Sequence, residues 1–275
     1  MDIRVPQSIQ PLIHAYLHAL EPLYAHFYGI YIHGSIALDA FEEPERDIDI
    51  VALMQGQWTS RELTQLEALH TLLLREHSSS KRLDVLYLPF HDLGENGKTA
   101  PSPIMRDGKF FVPATGGSLD AVTCWITKQK GIRLLGPEHF ALPLEVTWKD
   151  VLAVMRFNLD GYWAGKAKRP YLFWFDYWVM TAVATLCRIL TAIEEGEIIS
   201  KSAALTRWRE SLPERWQPLI DEAWRIRHHL RQPSLYRNRM QRMRETLAFI
   251  EQVRERGRKA GEQYQAYRKH TRRWL

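Results

Sequence analysis

The stretch that most constrains this chain is residues 31–53, in which Gly34-Ser35 is followed, after eleven residues, by Asp47-Ile48-Asp49. Its order reads as a short apolar strand, a Gly-Ser turn, one or two turns of helix, a charged loop and a second strand. Successive side chains of a strand point to opposite faces, so Asp47 and Asp49 share one face while Ile48 and Ile50 share the other. Two carboxylates placed in this way repel each other unless a cation lies between them. A pair of hard oxygen donors suits Mg²⁺, which water and substrate phosphates complete more often than a full protein cage does. Gly34 lets the backbone come close to a ligand. Ser35 adds a hydroxyl at a helix start, where backbone N–H groups favour anions. The segment predicts a phosphate cradle beside a metal site.

A third acid follows. Residues 82–88 alternate as a strand, with Leu83, Val85 and Tyr87 on one face and Asp84 on the other. An acid inside an apolar strand disfavours burial unless it meets a cation or a proton-transfer partner. Around these strands the periodicity predicts a helix over 8–28, divided by Pro22 and stopped at Gly29. It also predicts a helix from the Thr59/Glu62 capping box to about His77, and a capped helix over 118–131 before a turn at Gly136-Pro137. Residues 89–117 read as a long loop with one short strand at 109–112. Within it Gly94–Thr99 imitates a P-loop, but with too few residues between its glycines to be one.

From Thr147 onward the pattern is helical. Pro170 suits the first turn of a helix running to about Glu194, with Gly196 beyond it. Trp174, Trp178, Thr181, Thr185 and Arg188 fall on one face of that helix. Further helices are expected at about 200–211, 214–231 and 235–270. Residues 171–193 approach the length of a membrane span, yet Asp176 and Arg188 interrupt them, which favours a buried central helix and no membrane.

Composition narrows the classes further. With 275 residues, 45% hydrophobic and 25% charged, the chain reads as a soluble protein of one large or two ordinary domains. Cys124 and Cys187 form no metal spacing and suit a reducing cytosol. The first residues lack the basic-then-apolar order of a signal peptide, so a cytoplasmic protein is expected. The net charge of +5 is uneven: residues 225–275 hold 15 Lys and Arg against 4 Glu, leaving about −6 for the rest. Such a basic region could attract nucleic acid, but its charges are spread along helices, and a solvated face is the favoured reading.

Taken together, the apolar-Gly-Ser…Asp-x-Asp segment resembles the signature of the DNA polymerase β-like nucleotidyltransferase superfamily. From Leu186 to Lys201, and on through Trp208, Leu212-Pro213 and Trp216 to Leu219, the chain resembles the helical C-terminal domain of aminoglycoside adenylyltransferases of the streptomycin/spectinomycin type. The resemblance spans roughly residues 8–230, is patchy over 89–117 and is absent from the last forty or so. It implies an α+β chain: a nucleotidyltransferase domain over 1–145, with a mixed sheet and flanking helices, then an all-α bundle over 146–275. It also implies transfer of AMP from ATP to an aminoglycoside or aminocyclitol hydroxyl, with Mg²⁺, in a cleft between the two domains. Carried over by position, Gly34 and Ser35 hold phosphate, Asp47 and Asp49 bind Mg²⁺, and Arg188 and Lys201 reach the ATP phosphates. Where the family has a Glu as base, this chain has Asp84, one methylene shorter. That leaves either the same role with the substrate drawn closer or a shift towards metal binding. Trp163 and Asp176 fall where the family contacts the cationic drug, although about seven extra residues blur that match. The implied protein is a monomer or weak dimer with small-molecule substrates. The alternatives are transfer to a tRNA or protein hydroxyl, and a non-catalytic nucleotide-binding protein. The presence of all three acids counts against the last.

Overall fold

Alternation along residues 27–54 and 83–89 builds the centre of a mixed sheet in the computed structural model, which describes residues 2–41, 47–90, 102–113 and 119–271, with side chains as far as 260. The strands are β1 (Phe27–Ile32), β2 (Ile48–Met54), β3 (Leu83–Pro89), β4 (Ile104–Arg106), β5 (Lys109–Phe111) and β6 (Ile132–Leu135). Their order across the sheet is β5-β4-β3-β2-β1-β6. β2 and β3 are parallel, with Asp49 opposite Asp84, and the other neighbouring pairs are antiparallel. A parallel pair needs a crossover, here α3 (Ser60–Glu76), which opens with the Thr59/Glu62 capping box.

The two sheet faces build two cores. Ile30, Ile32, Ile48, Ile50, Val85 and Tyr87 point towards α1 (Gln10–Leu20) and α3, where Tyr87 accepts or donates hydrogen bonds with Tyr16 (3.1 Å) and His70 (2.6 Å). Tyr31, Val51, Leu53 and Leu88 point to the other face, against Cys124 of α4 (Ala121–Lys130). Asp49 and Asp84 belong to this second face, at the starts of their strands. Between β1 and β2, Gly34–Ala37 forms α2, a single turn.

Three expectations need correction here. The helix predicted over 8–28 ends at Leu20 and tightens into a 3₁₀ segment over Glu21–His26, because Pro22 cannot donate to continue the ladder. Gly29 is then a strand residue, not a stop. The short strand expected at 109–112 is β5, and it pairs in a hairpin with β4, which was not expected; nor was β6 after α4, since three or four residues leave no readable period. Gly94–Thr99 and Ser118 lie outside the described residues.

The chain divides after Trp148 into two compact units. The second is helical: α5 (Trp148–Phe157) runs through a π-helical stretch over Asn158–Trp163 into α6 (Ala164–Ala167). It continues with α7 (Asp176–Glu195), α8 (Lys201–Ser211), α9 (Gln217–Arg227) and α10 (Arg239–Thr271). The helix predicted from Pro170 begins instead at Asp176, since Pro170–Trp174 is a separate 3₁₀ turn and Phe175 is extended. Gly196 closes α7 in the left-handed conformation at φ 72°. α7 is long and apolar enough to cross a membrane. Ten of its residues, from Val179 to Ala192, are buried instead among its own neighbours α8, α9 and α10.

Candidate active site

The site in the first unit is built by the register of β2 and β3. Because Asp49 and Asp84 are paired positions in parallel strands, their carboxylates rise side by side from one face. Gly34 sits against the Asp49 carboxylate. Its φ of +64° is one that side chains rarely adopt, and a Cβ there would collide with the Asp49 carboxylate, reaching 2.7 Å from its Cγ. The His33 N–H donates to the Asp49 carbonyl (3.0 Å), which fixes the turn against β2. Asp47 stands just ahead of β2 and is exposed, Asp49 and Asp84 are half-buried, and Ser35 lies within α2.

Of the residues expected at the site, Asp49 and Asp84 line a cavity of about 290 Å³, and Gly34, Ser35 and Asp47 are not among its described lining residues. His33, Asp49, Asp84, Arg106, Asp120 and Thr123 line it, along with three apolar residues. Asp120 caps α4 by accepting from the Thr123 N–H (2.7 Å). Burial pushes the His33 imidazole down to about 4, against the opposite pull of Asp84 and Asp120, so it is neutral at pH 7. Asp84 is held by Arg106, whose Nε donates to Oδ2 (2.7 Å) and whose Nη2 donates to Oδ1 (3.0 Å).

The donor chemistry bears on the implied Mg²⁺. Among the described residues no group of three or more His, Cys, Asp or Glu side chains is arranged to hold a metal ion. Both Asp84 oxygens are engaged by Arg106 in this structure. Asp47 and Asp49 are two hard oxygen donors two residues apart, a set that fits Mg²⁺ when phosphates and water supply the rest.

The second unit holds the other residues that the resemblance marks. Arg188, on α7, donates from Nε to the carbonyl of Ile199 (2.8 Å), one residue before the Ser200 cap that starts α8 at Lys201. The two cations are thereby tied to one local frame. Asp176 at the start of α7 pairs with Arg242 (2.7 Å) and keeps 55% of its side chain exposed. Trp163 is only 1% exposed and packs in the helical core, so it offers no face to a ligand. The aromatic surface beside Asp176 belongs instead to Trp174 and Tyr177, 44% and 62% exposed.

Sequence reasoning missed His33, Arg106 and Asp120. For His33 a signal was at hand, its place next to Gly34. Asp120 could have been read as an N-cap three residues before Thr123. Arg106 gave none, because its partner lies on another strand.

Comparison with known proteins completes these observations. Residues 174–252, from the end of the 3₁₀ turn into α10, match the family model of the aminoglycoside adenylyltransferase C-terminal domain. No curated protein matches the chain. Eight chains of solved structures do. One is spectinomycin adenyltransferase AAD(9) from Enterococcus faecialis, determined with ATP and spectinomycin. It is 15% identical, covers 89% of this chain and 98% of its own, and gives a TM-score of 0.63. At that identity the likeness establishes the α+β fold.

Proposed function

We propose that this chain, an aminoglycoside nucleotidyltransferase by its C-terminal domain and its fold, moves AMP from ATP to a hydroxyl of an aminoglycoside or aminocyclitol. The observation that carries the reading is the Gly34–Asp49–Asp84 arrangement. A glycine at a positive φ, where a side chain would be strained, lies against the Asp49 carboxylate, which pairs across neighbouring strands with Asp84 beside a cavity. The similarity of the helical part to an adenylyltransferase domain supports it.

In this proposal the acceptor hydroxyl gives its proton to Asp84 as its oxygen bonds to the α-phosphorus. The bond from that phosphorus to the bridging oxygen breaks, and pyrophosphate leaves with the electron pair. Gly34 and Ser35 admit the phosphates close to the backbone. Asp47 and Asp49 would hold Mg²⁺, which when bound neutralises charge on the triphosphate. Arg188 and Lys201 contribute fixed positive charge towards the same triphosphate. Asp176, with Trp174 and Tyr177 beside it, meets the cationic acceptor through charge and cation–π contacts.

Pyrophosphate release from ATP, measured with streptomycin and with spectinomycin, tests the reading. The wild type is expected to turn over with at least one of them and Asp49→Ala with neither. Turnover unchanged in Asp49→Ala would overturn it.

A further inference from the structure

Four observations on Arg106 point the same way. First, its backbone position is set by strand register. β4 pairs antiparallel with β3 at Val85/Met105 and Leu86/Ile104, and continuing that register sets Arg106 opposite Asp84 on the same face. The turn that follows, Asp107-Gly108, has φ of 50° and 70°, so the hairpin closes directly behind the arginine. Second, the pair is bidentate, at 2.7 and 3.0 Å, and therefore engages both oxygens of the carboxylate assigned as base. Third, the pair is accessible. Arg106 is 54% exposed and Asp84 21%, a setting in which solvent keeps an ion pair weak and exchangeable. Fourth, Arg106 is the one Arg or Lys among the described residues that line the cavity, beside Asp49, Asp84 and Asp120.

A triphosphate cannot enter such a cavity on favourable terms without a cation to meet it, and a guanidinium fork fits phosphate oxygens as well as it fits a carboxylate. We infer that Arg106 is a two-position residue: it holds Asp84 while the nucleotide is absent and transfers to the triphosphate when ATP binds, releasing Asp84 to take the acceptor's proton. This rests on the nucleotidyl-transfer reading above and adds a regulation to it. The base is unmasked by the nucleotide, so ATP binds before the acceptor. A hydroxyl compound arriving first meets a carboxylate whose two oxygens are already taken.

The test separates binding from chemistry. Arg106→Gln and Arg106→Lys are compared with wild type for ATP affinity by calorimetry, for KM and kcat, and for acceptor binding in the absence of ATP. Arg106→Gln is expected to weaken ATP binding about tenfold or more, the scale of a lost charge-assisted hydrogen bond, while kcat at saturating ATP falls only a few-fold. It should also let the acceptor bind without ATP. Arg106→Lys, which keeps the charge but loses the fork, should recover part of the ATP affinity. If Arg106 only braces the hairpin, both variants lower the unfolding temperature and leave ATP affinity and binding order unchanged, and the inference is overturned. That failure is distinguishable from failure of the function itself, which Asp49→Ala reports independently.

Discussion

Two acidic sites in this molecule use similar residues and come out opposite. In the helical unit Glu222 is 0% exposed and fully engaged. It accepts from Arg225 (2.9 and 3.0 Å), Arg242 (2.9 Å), the Ser234 hydroxyl (2.7 Å) and the Leu235 N–H (3.1 Å). In the sheet unit Asp49, Asp84 and Asp120 face an open cavity whose lining has a single guanidinium. A buried carboxylate must be matched by donors or it would not stay charged, whereas carboxylates that water reaches need no such full set. The first arrangement holds helices together. The second is poised to accept a cation-bearing or phosphate-bearing ligand. Charge balance, more than residue type, separates the structural acid from the functional one.

The largest effect that could break this contrast is on turnover. Asp49→Ala is expected to lower kcat by roughly 10²–10³-fold or more while leaving the unfolding transition close to wild type. Near-normal kcat would place Asp49 with the structural acids. Glu222→Gln should do the reverse. Losing the buried charge leaves Arg225 and Arg242 without their partner and costs roughly 3–5 kcal/mol, read as a lower urea midpoint with ATP affinity unaffected in the remaining folded protein.

A change of pH sharpens the same comparison. Burial pushes His33 and His70 down to about 4 from an ordinary value near 6.5. The unfolded chain therefore binds protons that the fold refuses, and the sheet unit loses stability as pH falls from about 6.5 to about 4. Burial by itself would raise the Glu222 carboxyl, but its bonds from Arg225, Ser234, Leu235 and Arg242 bring it to about 2, below the ordinary 4.5. Its contribution is complete above about 4.5 and is lost only as pH falls towards 2. Hydrogen exchange, corrected for intrinsic rates, should show the sheet unit losing protection at pH 5 while the helices around Glu222 keep theirs. Equal loss in both would contradict the difference.

The smallest effect concerns the acceptor. Trp174→Ala is expected to raise the acceptor KM a few-fold, on the scale of an exposed cation–π contact, with little change in stability. Trp163→Phe should lower stability by about 1–3 kcal/mol and leave that KM alone. The opposite pattern would return the acceptor contact to Trp163.

What could be read from the sequence follows the range of the signal. The Gly34-Ser35 turn and the Thr59/Glu62 cap are local patterns, and each stands in the fold where its spacing put it, whereas the strand expected from Asp47 begins one residue later, at Ile48. Of the shortest strands only β5 was expected, at 109–112; β4 and β6, of three and four residues, are too short for alternation to show. Arg106 was invisible for a related reason: it meets Asp84 only through the pairing of β4 with β3, and no periodicity encodes which strand will lie alongside. Trp163 sat in the right stretch to be a ligand contact, but a π-helical segment turns it inward, and intrinsic helix periodicity gives no warning of that extra residue per turn.

The parallel register of β2 with β3 has a consequence for how this protein can change. Alternate residues of these strands share the face that carries Asp49 and Asp84, so an insertion or deletion of one residue ahead of either acid would rotate it into the hydrocarbon packing against α1 and α3 and bring an apolar side chain to its place. A two-residue change preserves the face and merely slides the acid along it. Viable length variants of this chain should therefore place their gaps in the connections, and any found inside β2 or β3 should come in pairs.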